Sequence, residues 1–219
     1  MERADALYFA REDMESVRAS LQLLEKASAP LDYEILWRLG RALFFLGQES
    51  VDRKAARLSH KRAARFCRWA ARLEPRRVEG HFWLGVNQAL LAQLSTRFLR
   101  APLLALQAVS ALRRAARLDA AYHAAGPWRV LARLETHLPR ILCGGTTRAR
   151  AHFLQAINLA PHNTVTRIYF AELLIKTGDT HQAQSELNTI LNTLPDPAWA
   201  FEIARDKKLA QEMLNQVRM

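Results

Sequence analysis

The chain has 219 residues, half of them apolar and 24% charged, with a net charge of +11. That balance excludes a disordered or low-complexity chain and allows a continuous core in one or two domains. The most apolar stretch, Phe98 to Leu112, is broken by Arg100 and Pro102, which leaves it short of the roughly 20 residues of a membrane span, so no transmembrane helix is expected.

In chain order, helix-hairpin signatures end at Asp32, Pro75, Asp119, Pro161 and Pro195, separated by 43, 44, 42 and 34 residues. A period of about 20 to 50 residues is the mark of a solenoid. The first unit, residues 1–32, carries Leu7, Tyr8, Leu24 and Ala27 loosely at the repeat positions and reads as an amino-terminal unit with a polar outer face. Units 33–75, 76–119 and 120–161 are longer. Gly40 to Pro75, Gly85 to Asp119 and Gly126 to Pro161 span 35, 34 and 35 residues, where a standard unit spans 24, as from Ala171 to Pro195. Each middle unit thus carries about ten extra residues between its helices. Their small-large-small cores are Ala63, Cys67 and Ala70; Ala108, Leu112 and Ala115; and Ala149, Phe153 and Ala156. Small residues let crossing helices approach, and bulky ones fill the space beside them.

Unit 162–195 is the cleanest, with Ala171, Leu174, Gly178, Ala183 and Leu187 at the small, large, turn-glycine, small and large positions of a tetratricopeptide hairpin. Residues 196–219 read as a cap helix from about Trp199 to Gln216, with Phe201, Ala204, Leu209, Met213 and Val217 available for its inner face. The expected fold is all-α. It is a single domain over 1–219, a tetratricopeptide-like, right-handed solenoid of about five helical hairpins, the middle three extended, plus a C-terminal cap helix.

Charge is unevenly placed. Residues 1–52 hold 6 basic and 10 acidic side chains, residues 53–150 hold 20 and 4, and residues 151–219 hold 6 and 7. Within the middle block Lys54, Arg57, Lys61, Arg65, Arg68 and Arg72 recur every three or four residues, while Ala56, Ala63, Phe66 and Ala70 keep the same rhythm on another side. This is one helix with a basic stripe and an apolar stripe. The stripe reads either as a solvated face or as a docking face for something acidic: nucleic acid, an anionic lipid surface or an acidic partner. No aromatic platform or recognition motif accompanies it, which argues against nucleic acid.

Three segments carry a family resemblance: YFAREDMESVRASLQLLEKA at residues 8–27, YEILWRLGRALFFLG at 33–47, and AYHAAGPWRVLARLETHLPRILCGGTTRARAHFLQAINLAPHNTVTRIYFAELL at 121–174. Their most specific part is Gly126-Pro127-Trp128-Arg129-Val130-Leu131 followed by Gly144-Gly145. The sequence resembles the T-component (TatT) family associated with TRAP transporters, a tetratricopeptide-like branch. The resemblance implies a helical scaffold, often periplasmic and lipid-anchored, that self-associates and cooperates with a solute-binding protein.

Gly126-Pro127 interrupts a helical pattern, so a helix must begin or kink there. Two readings stay open: a plain helix start with Trp128 in the core, or a ligand niche of His123, Trp128 and Arg129. Trp37, Arg41 and Phe44, with Phe82 of the next unit, lie on first helices, which line the concave groove of such stacks. An arginine beside aromatic walls suits a carboxylate or a peptide end. Trp37 and Arg41 are expected to share a cavity with His123 and Arg129. Gly144-Gly145-Thr146-Thr147 reads as a turn and helix cap. It lacks the Gly-Lys-Ser/Thr ending of a P-loop.

No catalytic motif occurs, and Glu135 with His137 has no third partner, so no enzyme is expected. Cys67 and Cys143 form no disulfide framework and the histidines no zinc spacing, so neither metal nor cofactor is expected. The amino terminus lacks an apolar signal segment, which predicts a cytoplasmic protein as written, or a periplasmic one if a leader has been trimmed. The reading is a non-enzymatic binding scaffold that holds a partner protein or a small anionic ligand in its groove. The alternative is a cytoplasmic tetratricopeptide adaptor that docks an acidic partner, whether protein, lipid surface or nucleic acid, on its basic middle segment. Its partners would be a protein, in particular a solute-binding protein, and further copies of itself.

Overall fold

The computed structural model describes residues 1–27, 32–96 and 100–217; Phe98, at the head of the apolar stretch, lies outside them. The chain divides into two compact units, Met1–Ala120 and Ala121–Met219.

The first unit holds three helical hairpins: α1 (Glu2–Phe9) with α2 (Met14–Lys26), α3 (Tyr33–Gln48) with α4 (Arg53–Leu73), and α5 (Val78–Gln93) with α6 (Arg100–Leu118). Each helix packs on the next within these pairs, α2 on α3 and α4 on α5, and α3 also touches α5. Asp13, Asp32 and Asp52 accept backbone N–H bonds at the starts of α2, α3 and α4, which fixes where each helix begins. Ala63, Cys67, Ala70, Ala108, Leu112 and Ala115 are fully buried, as the repeat register requires. Crossings at Gly40 and Gly85 are close. A Cβ on Gly40 would stand 2.0 Å from Cys67 Sγ, and one on Gly85 would stand 2.6 Å from Leu112 Cγ. Only a residue without a side chain lets these helices touch.

The second unit holds α7 (Tyr122–His137) with α8 (Thr146–Leu159), α9 (Thr164–Thr177) with α10 (Thr180–Leu191), and α11 (Ala200–Val217). α11 covers α9 and α10 through Ile168, Ala171, Leu187, Ile190, Ala210, Met213 and Leu214. Gly178 takes the left-handed conformation that ends α9, with φ 84°, and Asn163 and Asp179 cap α9 and α10.

The extra residues of the middle hairpins do different things. α4 has 21 residues and α6 has 19, against 12 for α10, so two of the insertions lengthen the second helix. In the fourth hairpin the added chain forms a connection over 138–145, with a single 3₁₀ turn at Arg140–Leu142 and Cys143 left-handed at φ 66°. In α7 it is Ala132 that clusters with Ala149 and Phe153. One sequence expectation needs correction. The buried stripe of α11 is Ile203, Asp206, Ala210, Met213 and Leu214, whereas Ala204 is exposed. The inner face is rotated because Asp206 sits inside it, bonded to the Thr164 hydroxyl at 2.7 Å.

Candidate functional site

The entry to α7 is the most unusual backbone of the second unit. His123, Ala124 and Ala125 have φ of 51°, 52° and 57°, three consecutive residues in the left-handed region. An L-residue there costs about 1–2 kcal/mol, so something must hold the turn. Arg129, one turn into the regular helix, reaches back to do so. Its guanidinium donates to Ala124 O at 2.8 Å, to His123 O at 3.3 Å and to Asn163 Oδ1 at 3.2 Å, and lies 3.3 Å from His123 Nδ1. The break foreseen at Gly126-Pro127 is present, and Pro127 falls where the regular turns start.

Arg129 is buried, and no carboxylate lies within ion-pairing distance of it among the described residues. Burial lowers its pKa to about 10, so it stays a cation at neutral pH. The charges of Glu202 and Asp206 act on it from further off, against the effect of burial. Asp206, its carboxyl pushed up by burial, takes bonds from Arg205 and Thr164. A cavity of about 160 Å³ opens beside this cluster, lined by Ala124, Pro161, Asn163, Thr164, Trp199 and Ile203 among others. Ala124 and Asn163 each bond Arg129 and also line the cavity, and the Trp199 ring stands 4.9 Å edge-on from His123. Asp196, an exposed member of the lining, accepts from the Ala198 N–H at 2.9 Å.

Trp37, Arg41, Phe44 and Phe82 belong to the first unit and His123, Trp128 and Arg129 to the second. Arg41 is buried beneath α1, ion-paired to Asp5 and walled by the rings of Tyr8 and Trp37 at 3.9 and 4.9 Å. Arg38 shares Asp5 at 2.9 Å, and together the two arginines hold the Asp5 carboxyl below its ordinary range against the opposing effect of burial. Trp37 donates to Glu34 at 3.0 Å, Phe44 packs on Trp83 at 5.2 Å, and Phe82 is fully buried. All four side chains thus make contacts within their own unit.

The Trp128 ring packs at a tilt of 42° against His152, 4.9 Å away, and His152 Nδ1 lies 2.7 Å from Glu135 Oε2. The partner of Glu135 is thus His152 on α8 rather than His137. Trp128 Nε1 and Glu135 Oε1 are buried without a hydrogen-bond partner. Sequence reasoning also missed Asn163 and Trp199, since no spacing joins either to Arg129. The one available signal was a tryptophan after Pro197, just past the last hairpin.

The stripe Lys54, Arg57, Lys61, Arg65, Arg68 and Arg72 is exposed along the whole of α4. None of the six has an ion-pair partner among the described residues. No described helix is long and apolar enough to cross a membrane, and no described group of His, Cys, Asp and Glu could hold a metal ion.

No curated protein matches this chain. Among solved structures it is similar to a thermophilic TPR protein of Thermus thermophilus, at 23% identity over 88% of this chain and 91% of that one, with a TM-score of 0.67, a likeness in fold. The model of the TRAP transporter T-component family matches residues 4–219. With tetratricopeptide-like hairpins throughout and that match over nearly its whole length, the chain belongs to the TRAP transporter T-component family.

Proposed function

We propose that the chain is a non-enzymatic scaffold that binds a small organic acid in the cavity beside Arg129 and serves a TRAP-type solute-binding protein as its partner. The observation that carries this reading is a buried guanidinium with only neutral partners next to a cavity of about 160 Å³. The walls suit an amphiphilic guest. Pro161, Leu194, Trp199 and Ile203 offer apolar surface, and Asn163, Thr164 and His162 offer polar contacts. Pockets of this make-up, mostly apolar with a few converging polar groups, are what small-molecule sites look like. The positive field of Arg129 favours an anion over a cation. Family membership supports the partner and, with it, self-association as parts of this reading. Thr164, on the cavity wall, donates to Asp206 at 2.7 Å, and Arg205 bonds the same carboxyl; we read this contact as structural, tying α11 to α9, rather than as a nucleophile with its base.

Titration calorimetry with a series of monocarboxylates from acetate to hexanoate tests the ligand. Binding should appear in the parent and vanish in Ala160→Leu, which fills the cavity without touching Arg129. A variant that binds as the parent does would refute the site. Immobilised parent should also retain the solute-binding protein of the cognate transporter, and failure to do so would refute the partner.

A further inference from the structure

α4 presents one ridge to solvent. Lys54, Leu58, Lys61, Arg65, Trp69 and Arg72 follow one another at intervals of four, three, four, four and three residues, which places them on one side of a helix. All six are exposed, Leu58 at 60% and Trp69 at 37%. The ridge is about 27 Å long at 1.5 Å per residue. Arg57 and Arg68 widen it, and the opposite face, Ala56, Ala63, Cys67 and Ala70, is locked in the core. α4 contains no acidic residue; the nearest in sequence, Asp52 and Glu74, cap its two ends. Of its eight basic side chains only Arg62 is ion-paired among the described residues, to Glu25 at 2.6 Å.

We propose that this ridge docks the protein on an anionic phospholipid surface. Unpaired cations in a row on one helix are drawn to anionic headgroups. Leu58 and Trp69 decide between possible partners. They stand about 16 Å apart along the helix, amid the cations rather than beside a pocket. A bilayer takes both at once, since a tryptophan ring and a leucine side chain settle among the headgroups while arginines hold the phosphates. A nucleic-acid backbone has no use for Leu58. An acidic protein would have to supply two apolar seats about 16 Å apart, set between its carboxylates, to take both side chains. Arg65, 5.4 Å from the Trp69 ring, braces the indole in place.

The test is sedimentation of the full chain with vesicles of phosphatidylcholine alone, or with phosphatidylglycerol added, at 0.1 M salt. Binding to the anionic vesicles should exceed binding to the neutral ones at least tenfold and disappear at 0.5 M salt. Each neutralised cation is expected to weaken binding about fivefold, so Lys61→Gln/Arg65→Gln/Arg72→Gln should lose about 100-fold. These positions are exposed, and an unchanged circular-dichroism melt confirms that the variant folds. Leu58→Ser/Trp69→Ser should weaken binding to vesicles severalfold. Equal binding to both vesicle types, or an unaffected triple variant, would overturn the proposal. So would retention by polyglutamate or duplex DNA without retention by vesicles, which would assign the ridge to an acidic polymer.

Discussion

The left-handed turn at the start of α7 makes an opposite-sign prediction for a single methyl group. Replacing Ala124 by glycine removes the roughly 1–2 kcal/mol that an L-residue bears at φ 52°. Against this stands the greater chain entropy glycine loses on folding, about 0.5–1 kcal/mol. The cavity side of Ala124 makes the lost methyl contact small. Ala124→Gly should therefore stabilise the protein by about 0.5–1 kcal/mol, raising the melting temperature by about 1–4 °C in a chain of this size. If residue 124 were in a right-handed helix, the same change would cost about 1 kcal/mol. Ala151, exposed on regular α8, supplies the control, and Ala151→Gly should show that cost. Urea and thermal melts of the two variants decide, and a fall for Ala124→Gly parallel to the control would refute the account of the turn. Arg129→Met removes the clamp and strands its carbonyl partners, at about 2–4 kcal/mol. In that background the gain from Ala124→Gly should shrink, because the turn is no longer forced.

Replacing Ala70 or Ala156, both fully buried at crossings, by leucine should lower stability by about 1–3 kcal/mol; unchanged melting of both variants would refute the repeat register. His152→Ala should cost about 2–4 kcal/mol by leaving the buried Glu135 carboxyl without its remaining partner, whereas Glu135→Met/His152→Leu should cost clearly less. A double variant as unstable as the single one would contradict this. Stability should fall as pH drops from about 7.5 to 5.5. Burial holds His60, His81 and His137 below the ordinary imidazole value, Arg114 adding to the effect on His81 and Arg133 and Lys176 to that on His137. The unfolded chain then takes up protons near pH 6.5 that the folded chain refuses, so the loss begins there and ends below the folded values. His60→Gln, which keeps a donor for Asn87, should flatten that decline in a series of melts, and a slope equal to the parent's would exclude His60 as a contributor.

The small and large positions where helices cross were legible from spacing alone. Ala63, Cys67, Ala70, Ala108, Leu112, Ala115, Ala149, Phe153 and Ala156 are all fully buried. The stripe of α4 was equally plain, because exposure on a helix follows its 3.6-residue period. Where polar residues enter the core, the pattern misled. Asp206 in the inner stripe of α11 reads as a surface residue until its bond to Thr164, 42 positions away, is known. The spacing marked Gly126 without showing that three left-handed residues, 123–125, precede the regular turns that start beside Pro127. The candidate site lay further from view. Arg129 meets Asn163 across 34 residues and Trp199 across 70, and its other partners are backbone carbonyls, which no residue type advertises. Arg41 shows the converse: an arginine among aromatics that resembled a recognition pair and is spent on Asp5.

The close crossing at Gly40 also turns Cys67 into a clock. Its thiol is sealed against the neighbouring helix, and burial pushes its pKa well above the ordinary range, so a thiol-modifying reagent can reach it only when α3 and α4 part. Cys143, half-exposed on the 138–145 connection, requires no such separation. One labelling reaction followed by peptide mass spectrometry would thus report two quantities from a single sample: the reagent's own pace at Cys143, and at Cys67 the frequency with which the second hairpin breathes open.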